Sequence, residues 1–96
     1  MTRPILEREV EAALVKRVKL LGGEIRKVQW IGRRGAPDRY VLFPAGSHRS
    51  NVWVELKAPG KKPDPHQERE HAVLRRAGEQ VLVIDFFAKI EEHFPL

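Results

Sequence analysis

The sequence predicts an α+β domain in which helices cover a small mixed β-sheet. Apolar residues recur at helical spacing from Ile5 to Leu21, and three short stretches rich in β-branched and aromatic residues follow. A second helical stretch then separates the third of them from a last, almost wholly apolar strand. The predicted order is therefore helix, three strands, helix, strand, and the 96 residues have room for one such domain, from 1 to 96.

The first helix is predicted over Ile5 to Leu21, because its apolar residues recur every three or four positions. These residues are Leu6, Val10, Ala13, Leu14, Val18 and Leu21. Gly22 and Gly23 follow, and glycine commonly ends a helix because it adopts the left-handed conformation at little cost. Glu24 to Trp30 then alternates imperfectly between polar and apolar residues, which predicts the first strand.

The second and third strands are predicted on either side of a turn at Pro44 to Ser47. A loop rich in glycine and arginine, Ile31 to Pro37, leads into the second strand at Asp38 to Phe43. The third strand is Val52 to Lys57, and successive side chains of a strand point to opposite faces. One face therefore carries Trp53, Glu55 and Lys57, and the other carries Val52, Val54 and Leu56.

The remainder of the chain predicts a helix, a strand and a short closing helix. The first of these spans about His66 to Ala77. Its inward-facing residues are predicted to be Ala72, Val73 and Ala77. Gln80 to Ile84 is nearly all apolar, which is typical of a strand covered on both faces, and Phe87 to His93 is predicted as a short helix. We expect an antiparallel meander of three strands, after which a right-handed helical crossover brings the fourth strand into parallel pairing.

The chain is basic, with 18 lysine and arginine residues against 13 aspartate and glutamate residues and a formal net charge of +5. Nucleic acid is the commonest polyanionic partner of such a chain, although many small proteins are simply basic. Basic residues in or beside the Gly- and Pro-bearing loops are predicted to contact phosphates. They are Arg33, Arg34, Arg39, Lys61 and Lys62, whereas Arg75 and Arg76 are interpreted as a solvated helix face.

Charged side chains in the third strand indicate a reactive cleft. Burying a charge is costly unless it is paired or bound to a metal ion, yet Glu55 and Lys57 occupy a strand that otherwise has the composition of a core. If the second and third strands form a hairpin, Asp38 falls beside them, and adjacent carboxylates favour a shared Mg²⁺ or Mn²⁺ ion. The Leu56 carbonyl is a further candidate ligand. Lys57 could orient or deprotonate an attacking water, or neutralise charge on a phosphoryl group.

The composition disfavours several other kinds of site. The sequence has no cysteine, which argues against disulfides and thiolate zinc sites and suits a cytoplasmic location. No apolar run approaches the roughly 20 residues of a membrane-spanning helix, and no signal peptide is visible. All four histidines are interpreted as ordinary residues, since His66 and His71 are poorly spaced for one helix face. Trp30 and Trp53 are interpreted as core residues.

Short motifs along nearly the whole chain resemble those of the virus-type replication-repair nuclease (VRR-NUC) domain, a branch of the PD-(D/E)XK nuclease superfamily. They are Glu7 in the first helix, Gly22-Gly23, Gly35-Ala36-Pro37-Asp38, Val54-Glu55-Leu56-Lys57-Ala58-Pro59-Gly60, Gln67, Gly78 and the closing apolar strand. Each motif is short, but the combination is specific. The resemblance implies an α/β/α restriction-endonuclease-like core and a stand-alone version of a domain that larger repair nucleases append to others.

The resemblance also implies the roles of individual residues. The positions that match catalytic or metal-binding positions of the family are Asp38, Glu55, Lys57 and Gln67. In that order, they are implied to be two ligands of Mg²⁺ or Mn²⁺, the catalytic lysine and a supporting active-site residue. The family further places a glutamate of the first helix near the metal. Glu7 fits this position best, and Glu11, one turn later on nearly the same face, is its alternative.

The implied activity is a metal-dependent DNA endonuclease acting on structured DNA, similar to Holliday junction resolvases. Because a four-way junction needs two symmetric cuts, a homodimer is expected. Four apolar residues are predicted to be exposed on the monomer and to form part of the dimer interface: Phe86, Phe87, Ile90 and Phe94. Two alternatives stay open: a nuclease for flaps, nicked duplex or single strands, and a non-catalytic DNA-binding module on the same fold.

Overall fold

The computed structural model describes residues 3–96, and its element order is the predicted one. Within that range, the helices are α1 (Glu7–Leu20), α2 (Pro65–Arg76) and α3 (Phe87–His93), and the strands are β1 (Glu24–Lys27), β2 (Arg39–Leu42), β3 (Val52–Leu56) and β4 (Val81–Ile84). No helix among these is long and apolar enough to cross a lipid bilayer.

The four strands form one mixed sheet in the order β1-β2-β3-β4. The first two pairings are antiparallel and the β3–β4 pairing is parallel, so both the meander and the crossover through α2 are confirmed. In the β2–β3 pairing, Arg39 lies opposite Val54 and Tyr40 lies opposite Trp53. Directly opposed residues share a face of the sheet, so this register decides which side chains can meet.

The sheet separates an apolar layer from a polar one. On one face, α1 packs against β3 and α3 packs against β4 and α1, and a single buried cluster joins them with the alternate β3 residues Val52, Val54 and Leu56. The helix residues of this cluster are Val10, Leu14, Val18 and Ile90. The opposite face of β3 carries Trp53, Glu55 and Lys57, and α2 covers it. The molecule is therefore an α/β/α sandwich, which confirms the predicted fold class.

Helix α2 differs from the prediction in the residues it turns inward. Val73 is 46% exposed and Ala77 is also exposed, whereas Glu70 and His71 are buried. The physical reason is the chemistry of the opposing surface, because the sheet face under α2 presents charged groups of β3 rather than aliphatic ones. A search for apolar periodicity therefore selects the wrong side of this helix.

The first strand is shorter than predicted, ending at Lys27 instead of Trp30. Val28 still donates a backbone hydrogen bond of 2.8 Å to the Asp38 carbonyl, after which the chain leaves the sheet. Trp30 is thereby placed with its ring centroid 4.9 Å from that of Trp53. Both tryptophans are half-buried in an aromatic stack on the α2 side, to which Tyr40 also belongs.

We expect Leu14→Ala to destabilise the protein far more than Leu20→Ala, although both positions are leucines of the same helix. Leu14 is fully buried in the core cluster, whereas Leu20 is 67% exposed. Truncating a buried leucine lowers the unfolding free energy by about 2–5 kcal/mol, whereas truncating an exposed one changes it by no more than roughly 0.5 kcal/mol. Urea unfolding followed by circular dichroism measures both values, and similar losses would contradict this assignment of the core.

Candidate active site

The sheet register places the two predicted carboxylates at the same end of neighbouring strands. Because Arg39 is paired with Val54, the residues one step further along each strand, Asp38 and Glu55, come to lie opposite each other on the α2 face. The N–H of Lys57 donates to the Ile84 carbonyl of β4 at 3.0 Å. The preceding carbonyl, that of Leu56, points in the opposite direction, toward the edge where Asp38 lies.

Glu55 is buried, with 7% of its surface exposed, and polar groups surround its carboxylate. Gln67 of α2 directs its Nε2 at Oε2 of Glu55 over 3.4 Å, and the Lys57 ammonium lies 3.9 Å from the same oxygen. The other oxygen, Oε1, faces Nε2 of His71 at 3.7 Å. Three of the predicted residues, Glu55, Lys57 and Gln67, are thus brought into one hydrogen-bonded group.

Gln67 connects this group to the beginning of α2. Its Oε1 accepts one hydrogen bond from the Lys57 ammonium at 2.8 Å and a second from the backbone N–H of Asp64 at 2.9 Å. Asp64 is the N-cap residue of the helix, so the side chain that caps the helix also holds the lysine. The position of the Lys57 ammonium therefore depends on the first turn of α2.

The carboxyl group of Glu55 is unusually reluctant to ionise. Burial is the main cause that raises its pKa from 4.5 to about 7, and the Lys57 charge opposes this shift. The negative charges of Asp38 and Glu7 raise the pKa further, and Arg39 lowers it. Electrostatic interaction with Glu55 thus links Asp38 and the first-helix Glu7 to the same site.

The two glutamates predicted as alternatives in the first helix have different surroundings. Glu11 accepts a hydrogen bond of 2.6 Å from Nε of Arg39, and the two side chains form an ion pair. Arg39 also lies 2.9 Å from Oδ2 of Asp38. Glu7 is exposed and acts on Glu55 through its charge. The carboxylate of Glu11 is therefore committed to an arginine, whereas that of Glu7 stands open to solvent.

The loop that delivers Asp38 is fixed to α2 by close packing. Gly35 has φ +87°, and a Cβ atom built on it would lie 2.7 Å from the carbonyl oxygen of His66, so this position has room only for glycine. Arg33 forms an ion pair of 2.5 Å with Glu70. Trp30 donates a hydrogen bond of 2.5 Å from its indole N–H to the Pro37 carbonyl, directly before Asp38.

The basic residues predicted to contact phosphates fall into two groups. Arg34, Lys61 and Lys62 are exposed and make no side-chain hydrogen bond or ion pair within residues 3–96. Arg33 is 60% exposed while paired with Glu70. Arg39 is 8% exposed on the face toward α1, with its guanidinium engaged by two carboxylates, so it is not available to DNA.

The donor set of the site fits a hard divalent cation. The carboxylates of Asp38 and Glu7 interact electrostatically with buried Glu55, and carboxylate oxygens are ligands that Mg²⁺ and Mn²⁺ prefer. Across residues 3–96, no group of three or more acidic, histidine or cysteine side chains is already gathered closely enough to enclose a metal ion. The carboxylates would have to draw together around the ion: Glu7 is exposed, whereas Asp38 is partly buried and would have to exchange its contact with Arg39 for the ion.

One residue of the site, His71, was not expected from the sequence. The spacing between histidines indicates whether two of them share a helix face, but it contains no information about a histidine that meets a carboxylate from another element. The signal in the sequence was its spacing from Gln67, because residues four positions apart lie on the same face of a helix. Once Gln67 is placed over Glu55, His71 must follow.

Comparison with known proteins identifies two relatives of this chain. A solved structure described as a VRR_NUC domain superposes with a TM-score of 0.79 and 39% sequence identity, over 90% of this chain and 90% of that one. The chain is also 48% identical over 83 residues to "Putative nuclease p44" of Acyrthosiphon pisum secondary endosymbiont phage 1, covering 86% of each protein. No family profile matches the chain.

The chain belongs to the VRR-NUC nuclease family. Its membership confirms the resemblance seen in the short motifs, and the VRR-NUC structure confirms the restriction-endonuclease-like fold. The architecture is retained although only 39% of the residues are identical between this chain and the solved VRR_NUC domain.

In metal-free protein, we expect Glu55→Gln to be more stabilising at pH 8 than at pH 5. The folded-state pKa is raised from 4.5 to about 7, so the stability that the protonated group contributes is fully present below pH 4.5 and is lost as the pH rises through 7. Because glutamine does not ionise, the variant does not show this decrease in unfolding free energy, which amounts to about 2 kcal/mol in wild type. Denaturant unfolding in EDTA at both pH values measures it.

The matched control for this measurement is Glu92→Gln, which removes an exposed carboxylate of α3. Its effect on the unfolding free energy should be similar at the two pH values. A pH-independent difference between wild type and Glu55→Gln would contradict the burial of an ionisable carboxylate at this position.

Proposed function

We propose that this VRR-NUC domain is a metal-dependent endodeoxyribonuclease that hydrolyses phosphodiester bonds in structured DNA, with a Holliday junction resolvase-type activity. The observation that carries the proposal is the buried Glu55 carboxylate, held between Lys57 and Gln67 and within the electrostatic influence of Asp38 and Glu7. A buried carboxyl group with a strongly raised pKa among charged neighbours is typical of a catalytic centre.

The proposed ligands of Mg²⁺ or Mn²⁺ are Glu7, Asp38, Glu55 and the backbone carbonyl of Leu56. When bound, the ion would supply Lewis-acid polarisation of a phosphoryl oxygen and a bound water of lowered pKa. The residues themselves provide the position: Glu55 is fixed by β3 and α2, and Asp38 is fixed by a loop that Gly35 locks against α2. Glu11 is not included, because Arg39 engages it.

Lys57 is the proposed catalytic lysine. Its ammonium is held at 2.8 Å from Gln67 and is directed to the same side of the sheet as Glu55. A fixed cation in a partly water-excluded site stabilises negative charge as it develops on the phosphate during hydrolysis. Gln67 acts as a supporting residue, because it restrains both the lysine and the glutamate and leaves neither free to rotate away.

DNA is the proposed partner, gripped by the two loops on either side of the α2 N-terminus. Arg33 and Arg34 lie in the loop before β2, and Lys61 and Lys62 lie in the loop after β3. Contact between Gly35 and the first turn of α2 brings the two loops together beside the site. Phosphate contacts of this kind position a duplex without reading its sequence. An intracellular, DNA-associated location is part of the proposal.

A homodimer is also part of the proposal, since one site cuts one strand and a junction requires two cuts. Of the residues expected at the dimer interface, Phe86 and Phe87 are 40% and 36% exposed, and their ring centroids lie 5.0 Å apart. Ile90 and Phe94 are each 3% exposed and belong to the core, which corrects the expectation for both. Exposed Leu20 lines a groove with Phe87 and extends the apolar surface.

We expect Asp38→Asn and Lys57→Met to reduce DNA cleavage by at least about 100-fold while leaving DNA binding nearly unchanged, because each removes a group that acts on the reacting phosphate. The assay uses labelled four-way junctions, flaps and linear duplex with Mg²⁺ or Mn²⁺, and measures single-turnover rates. Faster cleavage of flaps or duplex would favour the alternative substrates. Binding without cleavage of any substrate would favour a non-catalytic DNA-binding module.

The two first-helix glutamates should give opposite results when each is changed to glutamine. Glu7→Gln should lower cleavage and leave the melting temperature unchanged, because Glu7 is exposed near the site. Glu11→Gln should lower stability by about 1–3 kcal/mol, because it weakens the partner of a buried arginine. Thermal melts and cleavage rates on the same preparations decide between them. Loss of cleavage only in the folded Glu11 variant would reverse the assignment.

Arg34→Ala and Lys61→Ala should weaken binding of all DNA sequences alike and reduce the salt dependence of the affinity. Each phosphate contact contributes roughly 1 to the slope of log K against log salt concentration. Fluorescence anisotropy at several salt concentrations measures this slope. Arg76→Ala, on the exposed end of α2, is the control, and an equal change in its slope would remove the special role of the two loops.

A further inference from the structure

Helix α2 buries a titratable side chain that the proposed mechanism does not use. His71 is 1% exposed, and its Nε2 is a buried polar atom without a hydrogen-bond partner among the residues that the structure describes. Buried polar atoms are nearly always hydrogen-bonded, so an unpartnered one requires a physical explanation. The nearest charged group is Oε1 of Glu55, at 3.7 Å, just beyond hydrogen-bond range.

The two oxygens of Glu55 face two residues of the same helix. Gln67 approaches Oε2, and His71, one helical turn later, approaches Oε1. Burial, together with the positive charges of Arg75 and Lys57, lowers the pKa of His71 below its ordinary 6.5. An imidazole nitrogen that carries a proton is a hydrogen-bond donor, and the carboxylate oxygen opposite Nε2 favours the tautomer with the proton at that nitrogen.

We propose that His71 is a positioning residue of the nuclease site, which donates its Nε2–H to Oε1 of Glu55 and fixes the plane of that carboxylate toward Asp38 and Glu7. This inference rests on the proposed function, because it concerns how the chain prepares Glu55 to bind a divalent cation. A shift of a few tenths of an ångström in either side chain closes the gap to a hydrogen bond. Partners of this type orient a ligand and increase its basicity.

An alternative explanation is that His71 only fills space under α2. The two explanations differ in what a ring of similar shape would do. Phenylalanine keeps the volume but cannot donate a hydrogen bond, and glutamine keeps a donor but changes the shape. If His71 only fills space, phenylalanine should preserve the Mn²⁺ response and the cleavage rate, whatever its effect on stability. If His71 positions Glu55, phenylalanine should impair metal binding in an otherwise folded protein.

The test uses His71→Phe, His71→Gln and the control His48→Phe, an exposed histidine in the turn after β2. The first readout is the rise in melting temperature of the DNA-free protein during a titration with Mn²⁺ alone. We expect the apparent Mn²⁺ dissociation constant to increase about 10–100-fold in His71→Phe and less in His71→Gln, with no change in the control. The second readout is single-turnover junction cleavage, which should fall in the same order without loss of DNA affinity.

Two results would overturn the assignment of His71. One is a His71→Phe protein with the Mn²⁺ titration and cleavage rate of wild type. The other is a His71→Phe protein that melts at lower temperature without metal but keeps the wild-type Mn²⁺ response, which is the behaviour of a residue with only a packing role. Failure of the proposed function looks different, because wild type itself would then neither respond to Mn²⁺ nor cleave DNA.

Discussion

The burial of the Glu55 carboxylate is the constraint on which the rest of this molecule depends. A buried charge is costly without polar partners. Here Lys57, which follows on the same strand, and Gln67 and His71 of α2 surround the carboxylate. The same requirement explains why α2 turns His71 inward, against the usual preference for apolar residues, while buried Glu70 pairs with Arg33 of the loop before β2. Polar partners from other elements thus decide which face of α2 is buried.

The two faces of the sheet differ in composition and in role. The face under α1 and α3 is an ordinary aliphatic core, and it supplies the burial that stabilises the fold. The other face holds half-buried aromatic rings in contact with one another and carboxylates whose mutual repulsion raises the pKa of Glu55. The guanidinium of Arg39 connects the two faces, because it forms ion pairs with Glu11 on the α1 side and with Asp38 at the site.

Much of this arrangement could be predicted from the sequence, and the failures have a common cause. The element order, the strand pairing and the association of Glu55, Lys57 and Gln67 follow from alternation, helical spacing and the family motifs, since these are local patterns. The inward face of α2 and the burial of Arg39 were not predictable in the same way. Each depends on a side chain from a distant element, and periodicity within one segment contains no information about the surface it will meet.

The parallel pairing of β4 with β3 has a consequence for the candidate active site. Two parallel neighbours cannot be joined by a tight turn, so the chain must travel over the sheet before β4 can add to it. That travelling segment is α2 itself. The strand that completes the sheet and the helix that carries Gln67 and His71 over Glu55 therefore belong to one β–α–β unit, so a chain that loses this unit loses both an edge of the sheet and the polar partners of Glu55.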